Sequence, residues 1–323
     1  MEIRASTASG SCGRPESASG SQGVWDIARD GAEDAGVRGA ARLPATAAYH
    51  AAQAWAVAEE QPESTLMLRR NSLKQKLLEK KTVIGIFLEI PEPAHVEIAG
   101  LANMDFVIID WEHGSFSRES ALHAVRAADS TGISPVIRVG ENAPLAIQQA
   151  LDIGAVGVQI PHVSEKEAAL SACQAARFYP RGKRGLNPFV RSASYYAQNA
   201  AGYLKYANED VLVIGQIEGV DGVRNLSDIL TVEGLDVIFL GPYDLSQSLG
   251  IPGELDHPRL IAAMKQVIEV AARTDVVVGT FADSPERALT WIKLGVRYVA
   301  VSTDSEVFLS ATRCLVDKIR NEL

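Results

Sequence analysis

Residues 105–114, DFVIIDWEHG, decide how the chain is read. Four apolar residues, three of them β-branched, run without alternation and stop at Asp110, Glu112 and His113. A strand wetted on one face alternates, so an unbroken apolar run marks a strand covered on both faces. The same pattern recurs on either side. The runs are Val83–Leu88, Phe106–Ile109, Ser134–Arg138, Gly157–Ile160, Val211–Ile217, Asp236–Leu240, Val276–Thr280 and Tyr298–Ser302. Amphipathic stretches separate them: Glu119–Ala128, Ala143–Ile153, Glu165–Phe178, Pro258–Arg273 and Pro285–Leu294, with Ser305–Leu323 as a closing helix. Strict strand–helix alternation predicts an α/β fold with a parallel sheet. Eight units favour closure into a (β/α)8 TIM barrel over an open sheet. No G-x-G-x-x-G follows the first run, which argues against a dinucleotide-binding sheet.

The regular pattern begins near Met67 and fills residues 67–323, about the usual 250 residues of such a barrel. Residues 1–66 differ. They are rich in Ser, Gly and Ala, have no apolar run of signal-peptide type, and hold too many acids for a transit peptide. They read as a disordered extension, with an internal start at Met67 as a second reading. With 47% hydrophobic and 22% charged residues the chain is globular. A formal charge of −9 argues against a nucleic-acid partner. No apolar run is long enough for a membrane helix. Cys12, Cys173 and Cys314 are too few and too scattered for a disulfide framework or a thiolate zinc site, which suits a reducing, cytoplasmic setting.

A barrel places its chemistry at the C-terminal ends of its strands. Those ends carry Asp110, Glu112 and His113; Arg138; Gln159 and His162; Gln216 and Glu218; Asp244; Asp283; and Asp304. Asp283 and Asp304 each precede a helix and are expected to be N-caps. Asp110, His113, Arg138, Glu218 and Asp244 form a more demanding set, because buried polar groups need partners. Glu218 and Asp244 are oxygen donors that suit Mg²⁺ or Mn²⁺ and also admit Co²⁺. His113 is a base that works near neutral pH, with Asp110 expected to hold its ring tautomer. Arg138 can neutralise an oxyanion beside a metal. The set suits enolate chemistry on a 2-keto acid.

The strings DFVIIDWEHGSFS, PVIRVGENAP, QALDIGAVGVQIPHV, ARFYPRGKRG, IGQIEGVDGVRNLSDIL, VEGLDVIFLGPYDLSQSLG and GVRYVAVSTD succeed one another through this segment. In that order they resemble the HpcH/HpaI aldolase/citrate lyase family, nearest its metal-dependent 2-keto-3-deoxy-acid and 4-hydroxy-2-oxo-acid aldolases. The resemblance implies cleavage or formation of a carbon–carbon bond through a pyruvate enolate. It implies Glu218 and Asp244 as metal ligands, Arg138 on the keto oxygen, and His113 as base working with Asp110. Gln216 becomes a supporting polar residue, and the backbone N–H groups of Tyr243 and Asp244 hold the pyruvate carboxylate. It also implies a hexamer built from dimers, with Ser305–Leu323 at an interface. Three departures stand out: Tyr243 for a small residue, His162 for an apolar one, and Asn103 for a glycine. Tyr243 and His162 are expected to shrink or polarise the pocket and so to bear on the aldehyde partner; the plain reading of His162 is a loop histidine bonded to backbone. In the loop RGKRGLNPFVRSASYY, Arg181 and Lys183 read as solvated and Arg184 as structural.

Rival readings are weaker. A Schiff-base aldolase needs a lysine at a strand end, whereas Lys166, Lys205, Lys265 and Lys293 fall in helical segments. A phosphate-sugar barrel needs a glycine-rich anion site after its last strands. The match favours free acids over the CoA esters of citrate-lyase relatives. An oxaloacetate decarboxylase resembling macrophomate synthase shares the same site residues. A barrel kept only as a scaffold has no need of them.

Overall fold

The computed structural model describes residues 70–195 and 199–323. The expected boundary at 66/67 and the extension before it lie outside the described residues. Eight parallel strands close into a barrel in chain order: β1 (Val83–Leu88), β2 (Phe106–Asp110), β3 (Ser134–Arg138), β4 (Gly157–Ile160), β5 (Leu212–Ile217), β6 (Val237–Leu240), β7 (Val277–Ala282) and β8 (Tyr298–Thr303). β1 pairs with both β2 and β8, which completes the ring. Each expected run is a strand, with ends moved by two residues at most.

Two apolar clusters explain why the runs do not alternate. One face of each strand packs inward, where Phe87, Phe106, Ile108, Val136, Ile214, Phe239 and Tyr298 fill the barrel. The other packs outward against the helices, through Val107, Ile109, Ile137, Val158, Val213 and Ile238. Both faces are dry, so both are apolar. Phe106 and Tyr298 stack with centroids 4.1 Å apart and occupy the lumen. Gly85 makes room for them, since a Cβ there would lie 2.4 Å from the Phe106 ring.

Helix Ser72–Leu78 plugs the N-terminal mouth with Leu73 and Leu77, which join the inner cluster. The Asn71 side chain caps it by accepting from the Lys74 N–H, and donates in turn to the carbonyls of Val156 and Asp210. The C-terminal mouth has no such plug among the described residues. The loop before β2 turns at Asn103, whose φ of 61° explains why glycine suits that position and why asparagine is the tolerable substitute.

Candidate active site

Inside the barrel, period-two alternation decides which polar groups reach the C-terminal mouth. Phe106 and Ile108 face inward on β2, so Asp110 does too; Val136 puts Arg138 inward on β3. Asp110 lies level with Arg138, and Arg138 with Gln159 on β4. Leu212 and Ile214 put Gln216 inward on β5, with Glu218 one step beyond the strand end. Four neighbouring strands thus deliver five buried polar side chains to one place.

They form one connected network. Arg138 donates from Nε to Asp110 Oδ1 at 2.8 Å and from an Nη to Oδ2 at 2.6 Å, a fork-to-fork pair. Its other Nη lies 3.0 Å from Glu112 Oε2, and its guanidinium sits 4.8 Å above the Phe87 ring. Gln159 donates to Gln216 at 2.7 Å, and Gln216 donates to Glu218 Oε2. Glu218 Oε1 accepts the His162 backbone N–H at 2.7 Å and lies 2.7 Å from His162 Nδ1. His162 Nε2 stands 3.5 Å from Glu112 Oε1, which closes the path back to Arg138. Gly241, before helix Pro242–Ser248, lets the end of β6 approach. A Cβ there would lie 3.0 Å from Glu218 Oε2.

The electrostatics arise from this packing. Burial opposes the Arg138 cation, but its hydrogen bonds to Asp110 and the charges of Asp110, Glu112 and Glu218 prevail, and its pKa is raised. Burial raises the pKa of Glu112, helped by Glu218 and opposed by Arg138 and the two histidines. Glu112, His162 and Glu218 each offer a donor atom, all within 4.8 Å of one another. Two carboxylates and an imidazole so arranged suit a divalent cation.

The structure corrects some of these expectations and keeps others. Asp110 does not hold the His113 ring: its oxygens are taken by Arg138 and by the backbone N–H groups of Glu112 and His113. His113 itself is exposed at the rim. The His162 ring lies beside carboxylates, 2.7 Å from Glu218 Oε1, rather than on backbone. Asp244 is exposed in the first turn of its helix and is not a member of the three-donor group. Tyr243 is half exposed, its ring tilted on Phe281 at 6.0 Å. Asp304 is no N-cap, since Thr303 caps that helix. It is buried, accepts the N–H groups of Glu89 and Ile90, and lies 2.8 Å from His95 Nδ1. Ser284 is the N-cap next to Asp283, which pairs with Arg287. Arg184 is structural, buried against Asp152 at 2.7 Å and over Phe178. Sequence reasoning assigns no role to Glu112 and Gln159, and gives His162 only an effect on the shape or polarity of the pocket. Their signal is position alone, at or just past a strand end.

A closed (β/α)8 barrel with buried carboxylates, a paired arginine and a metal-ready donor group at its C-terminal mouth is the framework of a metal-assisted lyase. The model of the HpcH/HpaI aldolase/citrate lyase family matches residues 83–311, and the chain belongs to that family. It is 32% identical to a hydroxypyruvate/pyruvate aldolase of Cupriavidus necator over 79% of this chain and 95% of that one. It is 32% identical to a 5-keto-4-deoxy-D-glucarate aldolase of Shigella boydii over 77% and 96%. A crystal structure of macrophomate synthase superposes with a TM-score of 0.70 at 27% identity, covering 77% of this chain and 89% of that one. The chain is an enzyme of the aldolase type, a carbon–carbon lyase. No helix among the described residues is long and apolar enough to cross a membrane.

Proposed function

We propose that the enzyme cleaves a 4-hydroxy-2-keto acid to pyruvate and an aldehyde with the help of a divalent metal ion. The substrate is a 2-keto-3-deoxy sugar acid or a 4-hydroxy-2-oxo diacid. The observation that carries this reading is the unbroken path from Asp110 through Arg138, Glu112, His162, Glu218 and Gln216 to Gln159. A scaffold gains nothing from burying such groups, each of which costs stability unless paired. The pyruvate and keto-deoxy-acid chemistry in the relatives' names supports the substrate class.

The carboxylates fit a divalent ion held by Glu218, with Glu112 alongside it and Asp244 from the first turn of the neighbouring helix. When bound, the ion supplies Lewis-acid stabilisation of enolate oxygen and a chelation point for the 2-keto acid. Mg²⁺ or Mn²⁺ is the expected ion. Arg138, kept cationic and aimed by Asp110, holds the keto oxygen and neutralises charge growing there. His113 at the rim takes the 4-hydroxyl proton as the C3–C4 bond breaks. The bond's electron pair stays on C3, and the enolate is then protonated there to give pyruvate. Gln216 keeps Glu218 in place, and the first-turn N–H groups of Tyr243 and Asp244 receive the carboxylate.

A second reading, oxaloacetate decarboxylation with transfer of the enolate to another acceptor, draws support from the likeness to macrophomate synthase. The apolar residues Val307, Phe308, Leu315 and Ile319, all exposed on the last helix, support a homo-oligomer, for which a hexamer is the expectation. The scarcity of cysteine supports the cytoplasm as its setting. The test is pyruvate release from a panel of 4-hydroxy-2-keto acids and oxaloacetate, with Mg²⁺ or Mn²⁺ and then with chelator. Chelator-sensitive pyruvate from a hydroxy-keto acid is expected. Pyruvate from oxaloacetate alone moves the assignment to the second reading, and none from either removes both.

A further inference from the structure

His162 occupies a conformation that a side chain seldom takes without cause. Its φ is 54°, in the left-handed region. Glycine and asparagine reach that region at less cost than other residues. The backbone there is clamped, because the His162 N–H is held by Glu218 Oε1 and the Val163 N–H by the Gln216 carbonyl at 3.0 Å. Packing does not account for the imidazole either, since the side chain is 70% exposed. The ring instead lies between two carboxylates, with Nδ1 towards Glu218 and Nε2 towards Glu112.

We propose that His162 is a protein ligand of the divalent ion at this mouth, adding a nitrogen donor to the carboxylates. This rests on the metal-dependent reading above and goes beyond it. A nitrogen donor shifts the preference of the site from Mg²⁺, which favours all-oxygen octahedral shells, towards Co²⁺, Ni²⁺ and Zn²⁺. Three observations converge on it. The donor atoms of Glu112, His162 and Glu218 lie within 4.8 Å of one another, the clamp fixes the direction of the Cβ, and the wet ring leaves room on the open side for a chelating substrate. The clamp leaves only the two torsions of the side chain free, so ligation orders little that is not ordered already.

The test uses the full chain, stripped with chelator, and two variants. His162→Gly keeps the left-handed backbone and removes the donor. His162→Asn keeps the backbone and offers oxygen in place of nitrogen. Thermal melts of the stripped proteins establish that both fold. Cu²⁺-loaded wild type should give nitrogen superhyperfine coupling in its electron paramagnetic resonance spectrum, and His162→Gly should lose it. By calorimetry, Co²⁺ affinity should fall on the order of 10- to 100-fold in His162→Gly while Mg²⁺ affinity moves by about threefold or less. His162→Asn should recover Mg²⁺ affinity but not Co²⁺ affinity. No nitrogen coupling in wild type, coupling that persists in His162→Gly, or equal losses for both ions overturns the proposal and leaves the metal-dependent reading standing. A wild-type chain that takes up no divalent ion overturns both.

Discussion

At the N-terminal mouth of the barrel, Lys74 meets Asp236 at 2.9 Å, and Asp236 also accepts the Val213 N–H. Lys76 meets Asp105 at 2.6 Å, and Asp105 accepts the Ile84 N–H. Asn71 caps the plug helix and ties it to the starts of β4 and β5. Each of these acids is matched to at least one cation and to strand backbone, Asp236 having Arg177 as a second at 3.3 Å. At the C-terminal mouth the balance differs: Asp110, Glu112 and Glu218 surround a single buried cation, Arg138. The first mouth uses its charges to close the barrel, and the second keeps carboxylates in excess for a ligand. In a TIM barrel polar groups at the bottom read as stability and those at the top as catalysis, and substitutions can break or sharpen that division.

The largest effect is expected from Glu218→Gln. It removes one negative charge while keeping shape, and should abolish divalent-metal binding by calorimetry and lower kcat/KM by ~10³-fold or more, with the melting temperature of the stripped protein held or raised. A variant that still binds metal as wild type does contradicts the donor assignment. Asp110→Asn is the point where the two mouths agree. It leaves a buried guanidinium without its forked partner, which should cost about 3 kcal/mol in chemical denaturation and ~10²-fold in turnover. Loss of turnover without loss of stability would mean the pair serves catalysis alone. Asn71→Ala, at the other end, should cost about 2 kcal/mol and leave kcat unchanged. A fall in kcat after correction for unfolded protein would show the mouths to be coupled.

Most of the barrel is legible in the sequence for one reason. Two-sided burial turns each strand into a continuous apolar run, and turns and helix caps bracket it. Asp110, Arg138, Gln216 and Glu218 are legible because alternation inside a strand carries straight to its end. Residues in the loops past the strand ends escape that rule. The aim of His162 depends on a left-handed φ, and its partners Glu112 and Glu218 come from other strands, 50 and 56 residues away. Asp304 defeats a local reading for the same reason. A residue ahead of a helix reads as a cap, yet its partners Glu89, Ile90 and His95 lie more than 200 residues earlier, met only because β8 closes on β1. Nearness in sequence pairs Asp110 with His113, whereas register sets Arg138 directly alongside.

The smallest effect is the most direct probe of the excess charge at the catalytic mouth. Burial, with Glu218 nearby, raises the pKa of Glu112 above its ordinary value in the folded protein. Between the ordinary and the raised value the folded state binds the proton more tightly than the unfolded chain does. Stability from this group is therefore full below the ordinary carboxylate pKa and is lost as pH rises through the folded value. Once ionised, Glu112 is a net cost, reduced but not cancelled by Arg138. Glu112→Gln removes that cost, so the stripped variant should melt above wild type at about pH 8, with the gap shrinking towards about pH 5. Because the side chain is only partly buried the gain should stay below about 1 kcal/mol. Turnover should fall in the same variant, since an ion-pair partner of Arg138 and a metal donor are both lost. A gap that grows in acid would mean that the charge of Glu112 stabilises the fold, and the contrast between the two mouths would fail at its central residue.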